Sequence, residues 1–224
     1  QMEFTYRFAD ADERAYMDSL ASRVSEVVDF RSMIVVGEER ALTQVKAVDD
    51  LYPLVGAVVL DPPLPLPEAL AGGEGLPGAV IDKVLMDRLG LAPGDRFRLG
   101  AQEFRLGAAL LRMPDSAAGG FSLGPPMIVL TRDLGQSGLI VPGSLYETEY
   151  RLDLPEGSDL AQLESAAEAR FADKGMRWSD SRRAAPGVER FVDRMGSFVV
   201  LVGLAGLAVG GVGGSGAVRA VREG

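Results

Sequence analysis

The two side chains that most often run protein chemistry are missing, since the 224-residue chain has no histidine and no cysteine. Ser-His-Asp and Cys-His triads are therefore excluded, together with His-ligated zinc and thiolate nucleophiles. Disulfides are excluded as well, although this names no cellular compartment. Acid–base work would fall to Asp, Glu, Lys or Tyr. The acid pairs Glu38-Glu39 and Asp49-Asp50 come nearest to a carboxylate constellation. Neither has an EF-hand pattern or a second cluster at ligand spacing, so both read as solvated loop acids. Gly206-Leu-Ala-Val-Gly-Gly-Val is not a dinucleotide fingerprint, because no strand precedes it. Without a nucleophile–base pair, metal set or cofactor motif, the chain reads as non-enzymatic, with no cofactor.

Glycine spacing points elsewhere. Met195 to Val218 is a run of 24 residues without a charged side chain, in which Ser197 and Ser215 are the clearly polar members. As a helix it reaches roughly 36 Å, enough to cross a hydrocarbon core of about 30 Å. The competing reading is a buried helix of a soluble core, which rarely runs so far without a charge. Eight of the 24 residues are glycine, and Gly206, Gly210 and Gly214 recur every fourth position. That spacing clears one helix face for close approach by a second membrane helix. Just upstream, Val188, Phe191, Val192 and Met195 fall at i, i+3, i+4 and i+7, opposite Glu189, Arg190, Asp193 and Arg194. An amphipathic helix is expected to run into the span without a breaker, either as a stiff stalk or as an ordinary interfacial anchor.

Charge narrows the partners. Leaving aside residues 195–224, the remainder holds 21 basic and 31 acidic side chains, a net charge of −10. This argues against nucleic acid and against docking on anionic headgroups. Arginines flank the span on both sides (Arg182, Arg183, Arg190 and Arg194 before it, Arg219 and Arg222 after). They therefore set no orientation.

The elements that must position these features follow from periodicity. Glu3–Phe8 alternates as a strand, and Asp10 with Glu13 makes a capping box. A helical stripe of Tyr16, Leu20, Val24, Val27 and Val28 is expected after it, then strands at Met33–Val36 and Leu42–Val48. Residues 61–78 carry five prolines and four glycines, which predicts neither helix nor central strand there. Ile81, Leu85 and Leu89 mark a short helix closed by Gly90, and Pro93-Gly94-Asp95 a turn. Arg96–Leu99 and Glu103–Leu111 read as strands joined around Gly100, followed by a strand at Met127–Leu130. Leu145–Leu154 is a strand. The helix from Ser158 to about Lys174 carries Leu160, Leu163, Ala167 and Phe171 on one stripe, and Gly175 stops it. Met176–Ser179 closes as a strand, with Trp178 packing at the end of that helix.

Two strand–helix–strand units predict an α+β fold, a split βαβ (ferredoxin-like) sandwich from residues 1–54 and 143–180. Residues 55–142 form a β-rich inserted subdomain, 181–194 a linker and stalk helix, and 195–218 the transmembrane helix.

Particular segments resemble a known family. Ile81-Asp-Lys-Val-Leu-Met-Asp-Arg-Leu-Gly-Leu-Ala-Pro-Gly-Asp95 runs on through Arg96-Phe-Arg-Leu-Gly100 and Glu103-Phe-Arg-Leu106. It resembles the extracytoplasmic core of FtsX-like, MacB-type ABC-transporter permeases. Lys46 to Gly56 is similar to the entry into that family's β-rich subdomain. Ala185 to Gly196 and the glycine-rich span look like the stalk and second membrane helix of the lipoprotein-release and lipid-related branch.

The resemblance implies a bacterial cytoplasmic-membrane permease with residues 1–194 extracytoplasmic and a first membrane helix before Gln1. It also implies a cytoplasmic ABC ATPase subunit as partner, a second permease copy or homologue, and a periplasmic protein. Motion driven by ATP would reach the domain through the stalk, for export or extraction of a lipophilic or envelope substrate. A membrane-anchored sensor or scaffold that binds a partner protein is the alternative, and an anchored hydrolase the weakest reading. Purified residues 1–186 should therefore turn over neither ATP nor a chromogenic ester. Turnover above background in either assay would defeat the permease reading.

Overall fold

Strand β1 (Met2–Thr5) is followed by a sharp corner and then helix α1 (Ala11–Leu20). The expected capping box is formed: the Asp10 side chain accepts from the Glu13 N–H at 2.9 Å, and Glu13 accepts from the Asp10 N–H at 2.8 Å. The helix ends at Leu20, earlier than the apolar spacing predicts. Ala21 is extended and the Ser22 N–H donates to the Asp153 carbonyl. Val24, Val27 and Val28 instead open a 14-residue strand, β2 (Arg23–Val36). β-branched side chains satisfy a pleated surface as well as a helical stripe, and here strand pairing prevails.

This is a computed structural model that describes residues 1–114 and 124–180. After β2 come β3 (Glu39–Val48), β4 (Val59–Asp61), α2 (Leu66–Ala69), β5 (Gly78–Asp82), α3 (Lys83–Arg88), β6 (Arg96–Leu99) and β7 (Gln102–Arg112). Then follow β8 (Pro126–Leu130), β9 (Tyr146–Asp153), α4 (Leu160–Phe171) and β10 (Arg177–Trp178). Two expectations need correction. The proline-rich stretch does hold one helical turn, α2, because Pro67 sits in a first turn where a missing N–H is not needed. Ile81 belongs to β5, between β7 and β8, and α3 begins only after Asp82 caps it. Its C-terminus is as expected. Gly90 is left-handed, and Leu91 and Gly90 donate back to Met86 and Asp87, a Schellman end.

Among the described residues the strands form one sheet in the order β10-β1-β9-β2-β3-β8-β5-β7-β4, with β6 paired to β2 and β7. Every pair in the run β10-β1-β9-β2 is antiparallel. The junction β3–β8 is parallel. The fold is thus a sheet-rich mixture of strands and few helices, and residues 1–180 form one compact unit.

Side chains alternate between two faces. One face of β1 and β9 packs Met2, Phe4 and Tyr150 against Met17 of α1 and Ala167 and Phe171 of α4, with Met176 and Trp178 beside them. Full burial of side chains the size of Met17 or Phe171 contributes about 1.5–3 kcal/mol each. A second cluster joins Val28, Phe30 and Ile34 to Leu85 and Met86 of α3. A third, on the opposite face, joins Val27, Val48, Ile128 and Val80 to Leu66 and Ala69 of α2.

α2 can lie this close because Gly107 has no side chain: a Cβ there would fall 1.9 Å from the Ala69 carbonyl oxygen. Gly107→Ala is expected to push α2 off the sheet and cost about 1–3 kcal/mol. Urea denaturation checks this, and an unchanged midpoint would show that α2 yields freely.

Candidate functional site

The chain enters and leaves the described unit at one point. In the antiparallel β1–β10 pair, Met2 lies opposite Trp178 and Glu3 opposite Arg177. Beyond them the Gln1 nitrogen is 2.6 Å from the Ser179 carbonyl oxygen, and the Ser179 N–H donates to the Gln1 carbonyl at 3.0 Å. Arg177 pairs with Glu3 at 3.2 Å. Trp178 is buried beside Phe171 as expected, and its Nε1 donates to Asp180 at 3.0 Å.

A charged brace holds the corners above this joint. Arg7, just after β1, donates from Nη1 and Nη2 to the two oxygens of Glu13 at 2.7 and 2.8 Å. Its Nη2 also donates to the Lys174 carbonyl at 2.8 Å, and Lys174 Nζ donates to Asp10 at 2.7 Å. The Arg7 guanidinium lies 4.4 Å from the Phe4 ring centroid. Lys174 ends the turn after α4, with left-handed Gly175 next and β10 following. The start of α1 is thereby tied to the turn that launches β10.

Glu13 is fully buried. Burial pushes its carboxyl up, but the Arg7 hydrogen bonds, the Asp10 N–H and the Arg7 charge outweigh this and hold it below its ordinary value. The hydrogen bond from Lys174 likewise lowers Asp10.

A second network lies beside α1. The Tyr150 hydroxyl donates to Glu26 at 2.9 Å, and it accepts from the Ala9 N–H and from Arg14, each at 3.1 Å. Arg14 also pairs with Glu26. These groups border a cavity of about 80 Å³ that Asp18 and Asp49 share. Burial pushes the Tyr150 hydroxyl far above its ordinary value, so it donates and orients rather than abstracting a proton.

On the opposite sheet face Asp29 pairs with Lys46 at 2.9 Å. Burial raises the Asp29 carboxyl against the opposing pull of Lys46. The pair adjoins an open groove of about 390 Å³ that includes Tyr6, Arg31, Gln44, Leu145 and Glu147.

The sequence-derived candidates fare differently. Asp49 accepts from Ser25 Oγ at 2.8 Å and from the Glu26 N–H at 2.7 Å, and Asp50 pairs with Arg132. Asp49 is thus tied into the strand ends, and Asp50 pairs at the surface. Among the described residues no group of three or more acids could hold a metal. No helix among them is long and apolar enough to cross a membrane. The helix-packing glycines Gly206, Gly210 and Gly214, the stalk residues Val188, Phe191, Val192 and Met195, and the pair Arg182-Arg183 lie outside the described residues.

Sequence reasoning missed the brace. Its one legible signal was Glu13 standing three before Tyr16 and seven before Leu20, which places a carboxylate on a stripe otherwise apolar and calls for a cation.

No family model matches the chain. Over 185 residues, 81% of its length, it is 26% identical to the ABC transporter permease YbbP of Escherichia coli strain K12, and it spans 22% of that protein. Its fold is similar to the periplasmic region of MacB from Actinobacillus actinomycetemcomitans, with a TM-score of 0.51 at 10% identity, covering 84% of this chain and 92% of that one. The extracellular domain of the noncanonic ABC-type transporter YknZ from Gram-positive bacteria gives 0.48 at 13% identity, over 78% and 86% of the two chains. In sequence the chain is thus similar to an ABC transporter permease, and in fold to the periplasmic region of MacB. Both likenesses agree with the resemblance to MacB-type, FtsX-like permeases stated from the sequence.

Glu13→Gln is expected to cost about 2 kcal/mol, since it removes a charge-assisted pair from a buried site. Because the Glu13 pKa is depressed by folding, its contribution is complete above about pH 4.3, the ordinary glutamate value, and is lost as pH falls through the lower folded value. Urea midpoints should therefore differ between parent and variant at neutral pH and converge in strong acid. Equal midpoints at neutral pH would show that the brace stabilises nothing.

Proposed function

We propose that this chain is the lever of an ABC-transporter permease: its extracytoplasmic domain takes up the motion of membrane helices driven by a cytoplasmic ATPase. The observation that carries this reading is the joint of the two chain ends. Gln1 and Ser179 exchange backbone hydrogen bonds, and Met2 lies opposite Trp178. Segments attached before Gln1 and after Asp180 would therefore act on one sheet edge at one place. The brace from Arg7 through Glu13 to Lys174 stiffens the corners directly above.

On this reading residues 181–194 are the stalk, with Val188, Phe191, Val192 and Met195 as its apolar stripe. Residues 195–218 are the transmembrane helix, and Gly206, Gly210 and Gly214 are its contact with another membrane helix. The protein sits in the bacterial cytoplasmic membrane with residues 1–194 outside, paired with a second permease copy or homologue. It catalyses nothing itself, and its cargo is lipophilic or envelope-derived. Residues 1–54 and 143–180 form the split βαβ sandwich and 55–142 its insertion. The strand order β10-β1-β9-β2 and the separate core of Met2, Phe4, Met17 and Phe171 support that division.

Gly210→Leu tests the lever. Overpacking of this kind costs roughly 1–3 kcal/mol, so ATPase activity of the complex assembled with its ATPase should fall by about tenfold while the extracytoplasmic unit stays folded. Unchanged coupled activity would remove the glycine face from the mechanism. Unfolding of the unit would place the helix in a soluble core.

A further inference from the structure

The sheet face that lacks α1 and α4 changes character along β2. Register places Asp29 opposite Lys46, then Arg31 opposite Gln44, Met33 opposite Leu42, and Val35 between Arg40 of β3 and Arg98 of β6. Residues two apart on a strand share a face, so these four rows follow one another about 6.6 Å apart.

The first row is closed by its own ion pair. The other three are open: Met33 is 43% and Leu42 45% exposed, and Arg31, Arg40 and Arg98 are exposed as well. None of the three arginines has an ion-pair partner among the described residues, although Glu103 stands opposite Arg98 on β7. Three unpaired cations around an apolar pair are out of keeping with a chain whose net charge is −9. The side chains of a solvated sheet face have no need of Met and Leu side by side. The 390 Å³ groove continues the patch past Arg31 and Gln44 to Leu145.

We propose that this face docks an acidic segment of a partner protein, one whose carboxylates meet Arg31, Arg40 and Arg98 while an apolar side chain covers Met33 and Leu42. Charge complementarity selects the acid, and the central apolar pair selects a segment that alternates acid with aliphatic residues.

Position selects protein over lipid, a step that rests on the lever reading above. Met2 lies level with Tyr150 and Glu26, beside the joined chain ends. Arg31 is five residues and Val35 nine residues further along β2, which sets the patch about 17–30 Å from the joined chain ends. On that reading the stalk of residues 181–194 separates those ends from the headgroups.

The test uses the full chain in zwitterionic detergent micelles and a short fluorescein-labelled peptide of alternating Glu and Leu, followed by fluorescence anisotropy. The peptide is expected to bind, and its Lys-Leu counterpart not to. Binding should weaken steeply as ionic strength rises from about 0.01 M to about 1 M, where screening shortens from about 30 Å to about 3 Å. Arg40→Glu with Arg98→Glu should weaken it by about tenfold or more, and Met33→Ser with Leu42→Ser comparably. Arg88→Glu, an exposed arginine of α3 away from the patch, should leave it unchanged.

No binding of the acidic peptide, equal binding of the basic one, or insensitivity to the arginine reversals would overturn the proposal. Displacement of the peptide by phosphatidylglycerol added to the micelles, lost in the arginine variant, would make the face a lipid site instead. No ATPase enters this measurement. Failure here therefore leaves the Gly210→Leu result standing, and failure of that result leaves peptide binding readable.

Discussion

The structure turns on the pairing of β1 with two neighbours at once. β1 is four residues long, yet it holds β9 on one side and β10 on the other. A strand this short has few backbone bonds to spend on either neighbour. Its anchorage comes from Met2 and Phe4, both buried against the two long helices, with the Phe4 ring edge-on to Tyr150 at 5.6 Å. Remove that anchorage and β10 loses its one sheet partner among the described residues, and the joint of Gln1 with Ser179 opens. The fixed closeness of the ends is thus a product of packing as much as of hydrogen bonding.

Charge is used sparingly and in structural places. Glu13 is the third residue of the capping box, a buried acid and the receptor of a two-pronged arginine, so one side chain satisfies the Asp10 N–H and both Arg7 nitrogens and fixes a corner. A buried pair of this kind adds less to net stability than its short distances suggest, because both ions were taken from water. Its stronger effect is on geometry, since any other arrangement would strand the carboxylate. The same logic holds for Asp49, which ties the end of β3 to β2 through Ser25 and the Glu26 N–H.

The long strand β2 connects these local devices to the rest. Its first half carries β9 and the helix-covered face, and its second half carries β6 and the exposed arginine-rich face. One strand shared by both regions thus links the covered face to the exposed one. The parallel β3–β8 junction extends this continuity into the α2- and α3-covered sheet.

Local patterns in the sequence were enough for the Asp10–Glu13 capping box, the Gly90 helix end, the hairpin around Gly100 and the stripe of α4, because each depends on residues within a few positions of one another. The family resemblance and the lack of His and Cys chemistry were equally legible. What the sequence could not settle was the fate of Val24, Val27 and Val28. Their spacing suits a helix and their branching suits a strand, and only pairing with β9 and β3 decided. Ile81 went the same way, drawn into β5 by neighbours on both sides. The joint of Gln1 with Ser179, the Arg7–Glu13–Lys174 brace and the rows of Arg31, Met33 and Val35 join residues far apart in the chain. Strand register brings them together, and register is set by burial across the whole sheet rather than by any one segment.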